Sequence, residues 1–172
     1  TAANALVFYS YAVLSSPWFL NEFSAKLHGL AGSVPSIPVT ADKGLFGHIS
    51  SLGKRLAYLE REDYELSEEE KSQNGFIGDC IFDKSFELKT YDLKEDSLIL
   101  VSSENEQIVI SVPNEIISMS ISGYNVIQQW LKYHSYAYYR KAISKEELMS
   151  LDSLLRRMRL YIDTYPRLDS LI

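Results

Sequence analysis

Cations interleaved with aromatic rings are the clearest chemistry this sequence offers. In "SGYNVIQQWLKYHSYAYYRKA", residues 122–142, Lys132, Arg140 and Lys141 alternate with Trp130, His134 and several tyrosines. Ammonium and guanidinium groups at such spacing can neutralise phosphates. Tyr133, His134, Tyr136 and Tyr139 can donate hydrogen bonds or stack on an extruded base or sugar. A plainer reading competes: Trp130, Leu131 and some of the tyrosine rings pack a helix onto the core. Trp130 falls on the apolar stripe of that helix and is read as core. Arg156, Arg157 and Arg159 add a second run of cations, suited either to phosphates or to a solvated helix face. The polar, acidic stretch Ser102 to Gln107 lies between two strand-like runs, so base reading there would come without phosphate contact.

Other chemistries are missing from the sequence. There is no glycine-rich phosphate loop, nucleophile elbow, H-E-x-x-H or paired-cysteine motif. The densest carboxylates, in residues 60–70, read as a solvated run. By itself the chain does not read as an enzyme, and no cofactor is expected in it. His28, His48 and His134 are far apart and have no cysteines at ligand spacing, so a zinc site is not expected. The single cysteine, Cys80, excludes an internal disulfide and fits a reducing, cytoplasmic setting.

The net charge of −6 argues against nucleic acid only if it is evenly spread. It is not. Residues 1–59 sum to +2, 60–71 to −5, 72–122 to −6 and 123–172 to +3. The outer segments are mildly basic and the middle is acidic.

Hydrophobic spacing supplies the elements that position these groups. Residues 2–14 predict a helix; Ser16 then caps a second, with Pro17 at its first position. Phe19, Phe23, Leu27 and Leu30 share one face, and "GLAGSVPSIP" breaks the pattern. Thr40 is the expected cap of a third helix, whose stripe is Leu45, Ile49, Leu52, Leu56 and Leu59. Residues 60–70 are expected to end that helix and continue as loop. "SFELKTY", "SLILVSS", "QIVISV" and "IISMSIS" predict an antiparallel sheet of three to five strands, with Ser103 to Glu106 as a hairpin loop and Ile117, Met119 and Ile121 alternating.

Gly123 ends the strand region. A helix follows, carrying Val126, Ile127, Trp130, Leu131 and His134 on one side. The last helix opens with a capping box of Ser144 and Glu147 and carries Leu148, Leu151, Leu155, Met158 and Ile162. The expected class is α+β: N-terminal helices, a small antiparallel sheet and two C-terminal helices. The expected division of a single domain spanning 1–172 is a helical part at 1–62, an acidic loop at 63–75, the sheet at 76–122 and a second helical part at 123–172. No apolar run approaches the roughly 18 residues of a membrane span, and no signal-peptide pattern opens the chain. It begins without Met, already in helical pattern, and reads as an excised piece of a longer protein.

Two stretches carry a family resemblance. The first is "YAVLSSPWFLNEFSAKL" followed by "SIPVTADKGLFGHISSLGKRLAYLE"; the second is "ISGYNVIQQWLK", followed after a basic loop by a capped final helix. In this order they resemble the C-terminal target-recognition (specificity) region of type ISP and related single-chain restriction-modification enzymes. Members commonly show a "YAVLHSP"-like helix, an "RIP" turn, an "LF…LG..L..LH" helix and a "GY…..WLK.R" segment. Ser36 stands here where the family has Arg, "LAYLERE" replaces the usual "LHL", and the basic loop is longer and richer in Tyr.

The resemblance implies recognition of double-stranded DNA; the candidate contacts are those the chemistry of the basic, aromatic stretch supplies, Lys132, Tyr133, His134, Tyr136, Arg140 and Lys141. It also implies an upstream methyltransferase domain of the same parent chain, binding S-adenosylmethionine and methylating adenine; its N-P-P-Y-type motif does not occur in this chain. A protein–protein docking module, favoured by the apolar first helix and the acidic middle, is the alternative.

Overall fold

The computed structural model describes residues 1–28, 37–61, 63–72, 75–77, 86–121 and 123–172. The helices α1 (Ala2–Ser15), α2 (Pro17–His28), α3 (Lys43–Leu59) and α4 (Glu68–Ser72) come first. Strands β1 (Leu88–Lys94), β2 (Ser97–Ser102) and β3 (Gln107–Ser111) follow, then α5 (Asn114–Ile117), β4 (Ser120–Ile121) and β5 (Tyr124–Asn125). The chain closes with α6 (Val126–His134), α7 (Tyr136–Tyr139) and α8 (Lys145–Asp169). The class is α+β, as the patterning predicts. Two compact units divide the residues: one takes Thr1–Glu65 with Leu160–Ile172, the other Leu66–Arg159.

In the first unit α1 lies against α3. Tyr9, Ala12 and Val13 of α1 are buried, as are Ile49, Leu52, Leu56 and Leu59 of α3, while Leu45 is only half-buried. The contact depends on a glycine: a Cβ on Gly53 would sit 1.9 Å from the Phe8 carbonyl oxygen. Ser50 Oγ donates to the Ala5 carbonyl (2.9 Å) across the same contact.

Ser16 caps α2 as expected, its Oγ accepting from the Phe19 amide (3.0 Å) and donating to Asp169 Oδ1 (2.6 Å). Phe19 is buried against half-buried Phe23. Leu30 and the side chain of Leu27 lie outside the described residues. The cap of α3 is Asp42, not Thr40. Its Oδ1 accepts from the Gly44 and Leu45 amides (2.8 and 3.0 Å), and Thr40 Oγ1 instead accepts from the Asp42 amide (3.2 Å). Asp42 adjoins the first helical turn, so its carboxylate takes the free amides that lie out of reach of the hydroxyl two residues upstream.

In the second unit β1, β2 and β3 form an antiparallel meander. Leu98 pairs with Ile110 and Leu100 with Ile108. Leu88, Leu98, Leu100 and Ile110 bury one face, while Val109 remains exposed on the other. The expected fourth strand is not part of this sheet. Ile116 and Ile117 are buried on the single turn of α5, and among the described residues β4 pairs with β5 across Gly123, whose φ is +80°. An alternating pattern over a few residues does not exclude one helical turn, and here Pro113 starts it: its carbonyl accepts from Ile116 N (2.9 Å).

The acidic stretch also holds a helix where a loop was expected. Ser67 and Glu70 form a capping box at the start of α4, with bonds of 2.8 and 3.3 Å. The Ser144–Glu147 box of α8 is present at 2.7 and 3.2 Å. Leu148, Leu151, Leu155 and Met158 are buried as the stripe predicts. Beyond them the buried positions are Leu160, Tyr161, Thr164 and Leu168, with Ile162 half-buried. Alternate steps of three and four average about 3.5 against a period of about 3.6, so the stripe slips round the helix by about 20° every seven residues.

Candidate nucleic-acid interface

Asn125 sets the start of α6. Its Oδ1 accepts from the Gln128 amide (2.9 Å) and its Nδ2 donates to the Ile117 carbonyl (2.6 Å). That fixes the helix phase: Ile127 and Leu131 are fully buried, so Lys132 and Tyr133 face solvent. Lys132 Nζ lies 5.9 Å from the Tyr133 ring centroid.

Trp130 and His134 are half-buried and stacked, centroids 3.8 Å apart. His134 Nδ1 lies 2.8 Å from the Trp130 carbonyl oxygen. A carbonyl only accepts, so Nδ1 carries the proton and Nε2 of the neutral ring is a hydrogen-bond acceptor.

Ser135 ends α6 in extended conformation and restarts the chain as α7, its carbonyl accepting from the Tyr138 and Tyr139 amides (3.0 and 2.8 Å). This break resets the helical phase, so the side chains of Tyr136 to Tyr139 do not continue the faces of α6. Tyr136 and Tyr138 point to solvent, 40% and 60% exposed, and Tyr133 is 46% exposed. Tyr138 packs edge-on against Tyr133 at 4.9 Å.

Arg140 closes α7 in the left-handed region (φ 61°, ψ 16°), its amide donating to the Tyr136 carbonyl (3.0 Å). This conformation favours glycine and costs a side-chain-bearing residue about 1–2 kcal/mol. The Arg140 side chain is exposed and has no ion-pair partner among the described residues.

Tyr139 and Lys141 turn back toward α8. The Tyr139 hydroxyl donates to Glu147, and Lys141 Nζ lies 4.2 Å from the Tyr139 centroid and 3.5 Å from Glu147 Oε1. Burial pushes the Glu147 carboxyl up. Hydrogen bonds from the Ser144 amide and Tyr139, together with the Lys141 ammonium, outweigh that and hold it below the usual carboxylate range.

Of the six sequence candidates, Lys132, Tyr133, Tyr136 and Arg140 are therefore open to a partner. His134 is half-buried with its tautomer fixed, and Lys141 is exposed but ion-paired. Sequence reasoning passed over Tyr138, and also Tyr124, 64% exposed in the β4–β5 hairpin. The signal for Tyr138 was Ser135, a residue that favours helix caps and restarts. The β2–β3 loop offers less than expected: Ser102 is buried, its Oγ accepting from the Glu104 and Glu106 amides (3.2 and 3.0 Å).

The arginines of α8 are not a solvated face. Arg156 Nε donates to buried Asp152 (2.6 Å), and its Nη1 donates to the Lys71 carbonyl (2.7 Å). Arg159 lies over the Phe76 ring at 5.6 Å.

Among the described residues no group of His, Cys, Asp or Glu is placed to hold a metal, and no helix is long and apolar enough to cross a membrane. No curated protein and no solved structure is significantly similar to the chain. The profile of the type ISP C-terminal specificity domain matches residues 1–154. That match spans both the α1–α3 pair and the aromatic, basic segment just described, and it agrees with the motifs read from the sequence. The chain belongs to the type ISP C-terminal specificity domain family, whose role is DNA target recognition in restriction-modification and not catalysis.

Proposed function

We propose that this domain positions duplex DNA through the segment from Tyr124 to Lys141. Lys132 and Arg140 take phosphates, while Tyr133, Tyr136 and His134 meet base edges, sugars or an extruded base. Lys141 adds positive field while remaining paired with Glu147. The observation that carries this reading is Arg140: an exposed guanidinium held in a conformation that glycine would adopt without strain, beside open tyrosine rings. The duplex is positioned for a methyltransferase part upstream in the parent chain, which acts in the cytoplasm. S-adenosylmethionine supplies the methyl group there; this sequence has no glycine-rich loop to bind it.

One observation favours a second role. Leu6, Val7 and Leu14 leave an apolar strip exposed on α1, a surface suited to docking on another protein part. Amide hydrogen exchange with and without saturating duplex separates the two readings. The expected result is slowed exchange at residues 130–141. Slowing absent there, together with protection of α1 when the upstream domain is supplied, would favour docking.

A further inference from the structure

Helix α3 presents an outward face made of Gly44, Gly47, His48, Ser51, Lys54 and Tyr58, all exposed. The helix contains no Asp or Glu. Its glycines differ in what the fold asks of them. Gly53 is needed for the approach of α1, as shown above. At Gly47 a Cβ would meet nothing within 4 Å, although an interior helical glycine destabilises relative to alanine. No packing among the described residues accounts for its lack of a side chain, whereas a flat partner lying close to the helix backbone would.

Lys54 stands two turns further on. Its Nζ is 5.6 Å from the Tyr58 centroid and faces no carboxylate among the described residues. Beside these groups runs a groove of about 480 Å³ between α1 and α3, lined by Asn4, Phe8, Phe46, Gly47, Lys54 and Tyr58 among others.

We infer that this face of α3, from Gly44 to Tyr58, is a second surface contacting the sugar–phosphate backbone of duplex DNA, with Gly47 giving clearance and Lys54 the charge. It rests on the DNA-positioning reading and adds a contact outside residues 124–141. Charge complementarity selects the occupant: beyond the Asp42 cap at its start, the face carries no carboxylate, and its bare backbone at Gly47 and the Lys54 ammonium fit an anionic ridge. Residues 44–58 run for about 21 Å at about 1.5 Å per residue. This exceeds the roughly 12 Å width of the major groove, so one helix can reach phosphates on both of its walls.

The test uses anisotropy of a labelled mixed-sequence duplex with the 172-residue chain, over about 50–200 mM salt. Lys54→Gln should flatten the slope of log K against log salt by about 0.9, the release expected for one phosphate contact. Gly47→Gln should raise the melting temperature, because the added side chain meets open space on a helix. It should also weaken binding roughly threefold or more by blocking close approach. That combination excludes misfolding as the cause.

Arg140→Gly runs in parallel to separate the two ideas. If it weakens binding while both α3 variants match wild type, the α3 surface is overturned and the DNA-positioning reading stands. If only the α3 variants weaken binding, the α3 surface stands and the assignment of Arg140 falls. If all three bind as wild type, both fall together.

Discussion

The two basic runs of the second unit, Lys132–Lys141 and Arg156–Arg159, carry the same sign of charge and meet opposite fates. Arg156 is bound to Asp152, whose side chain is 5% exposed, and Asp152 also accepts from the Phe76 and Ile77 amides (2.8 and 2.7 Å). Arg157 and Arg159 have their Nε atoms shielded from solvent. In the earlier run the charge is turned outward, and among the described residues only Lys141 has an internal carboxylate. A count of lysines and arginines treats the runs alike. For Arg156 the difference is an acid one helical turn back: Asp152 precedes it by four residues, whereas no acid stands at that spacing before Lys132 or Arg140. One run organises the fold, and the other is left available to a partner.

The largest effect is expected where this contrast is broken from the structural side. Asp152→Ala leaves Arg156 and two backbone amides without their buried acceptor and should destabilise the protein by about 3–5 kcal/mol. Urea denaturation checks this. The salt slope of DNA binding, measured on the folded protein, should stay at its wild-type value. A slope that fell with stability would mean that the α8 arginines also meet phosphates.

A smaller effect is expected where the segments meet, at Glu147. The folded state lowers its carboxyl below the unfolded value of about 4.3. The resulting stability is fully present above that value and is lost as pH falls through the lower folded one. Between pH 5 and 3, roughly, Glu147→Gln should therefore flatten part of the acid-side loss of stability seen in wild type. Thermal melts across this window decide it; curves that remain parallel would remove the Tyr139–Glu147–Lys141 link as a pH-dependent contribution.

Much of this arrangement was legible in the sequence because it is local. The caps at Ser16 and Ser144, the stripes Ile49–Leu59 and Leu148–Met158, and the three-stranded meander follow from spacing and turn residues alone. Where competing local signals were close, the longer-range structure decided. Thr40 and Asp42 are both good cap residues, and helix phase selected the carboxylate. Ile117, Met119 and Ile121 alternate, yet the turn after Pro113 placed Ile117 in a helix. In the candidate site the sequence named the segment but not the orientation within it. The restart at Ser135 turned Tyr139 inward and Tyr138 outward, and the backbone strain at Arg140 is visible only in its dihedral angles.

The proposed role of Arg140 requires that its strained position serve DNA and not the fold. The direct measurement is Arg140→Gly, scored for both melting temperature and the salt dependence of duplex binding. Glycine relieves the left-handed strain, so the melting temperature should hold or rise. The slope of log K against log salt should flatten by about 0.9 as one phosphate contact is lost. A protein that melts earlier and binds duplex with an unchanged slope would overturn this role, because Arg140 would then serve the fold and the segment from Tyr124 to Lys141 would lose its main claim to the DNA.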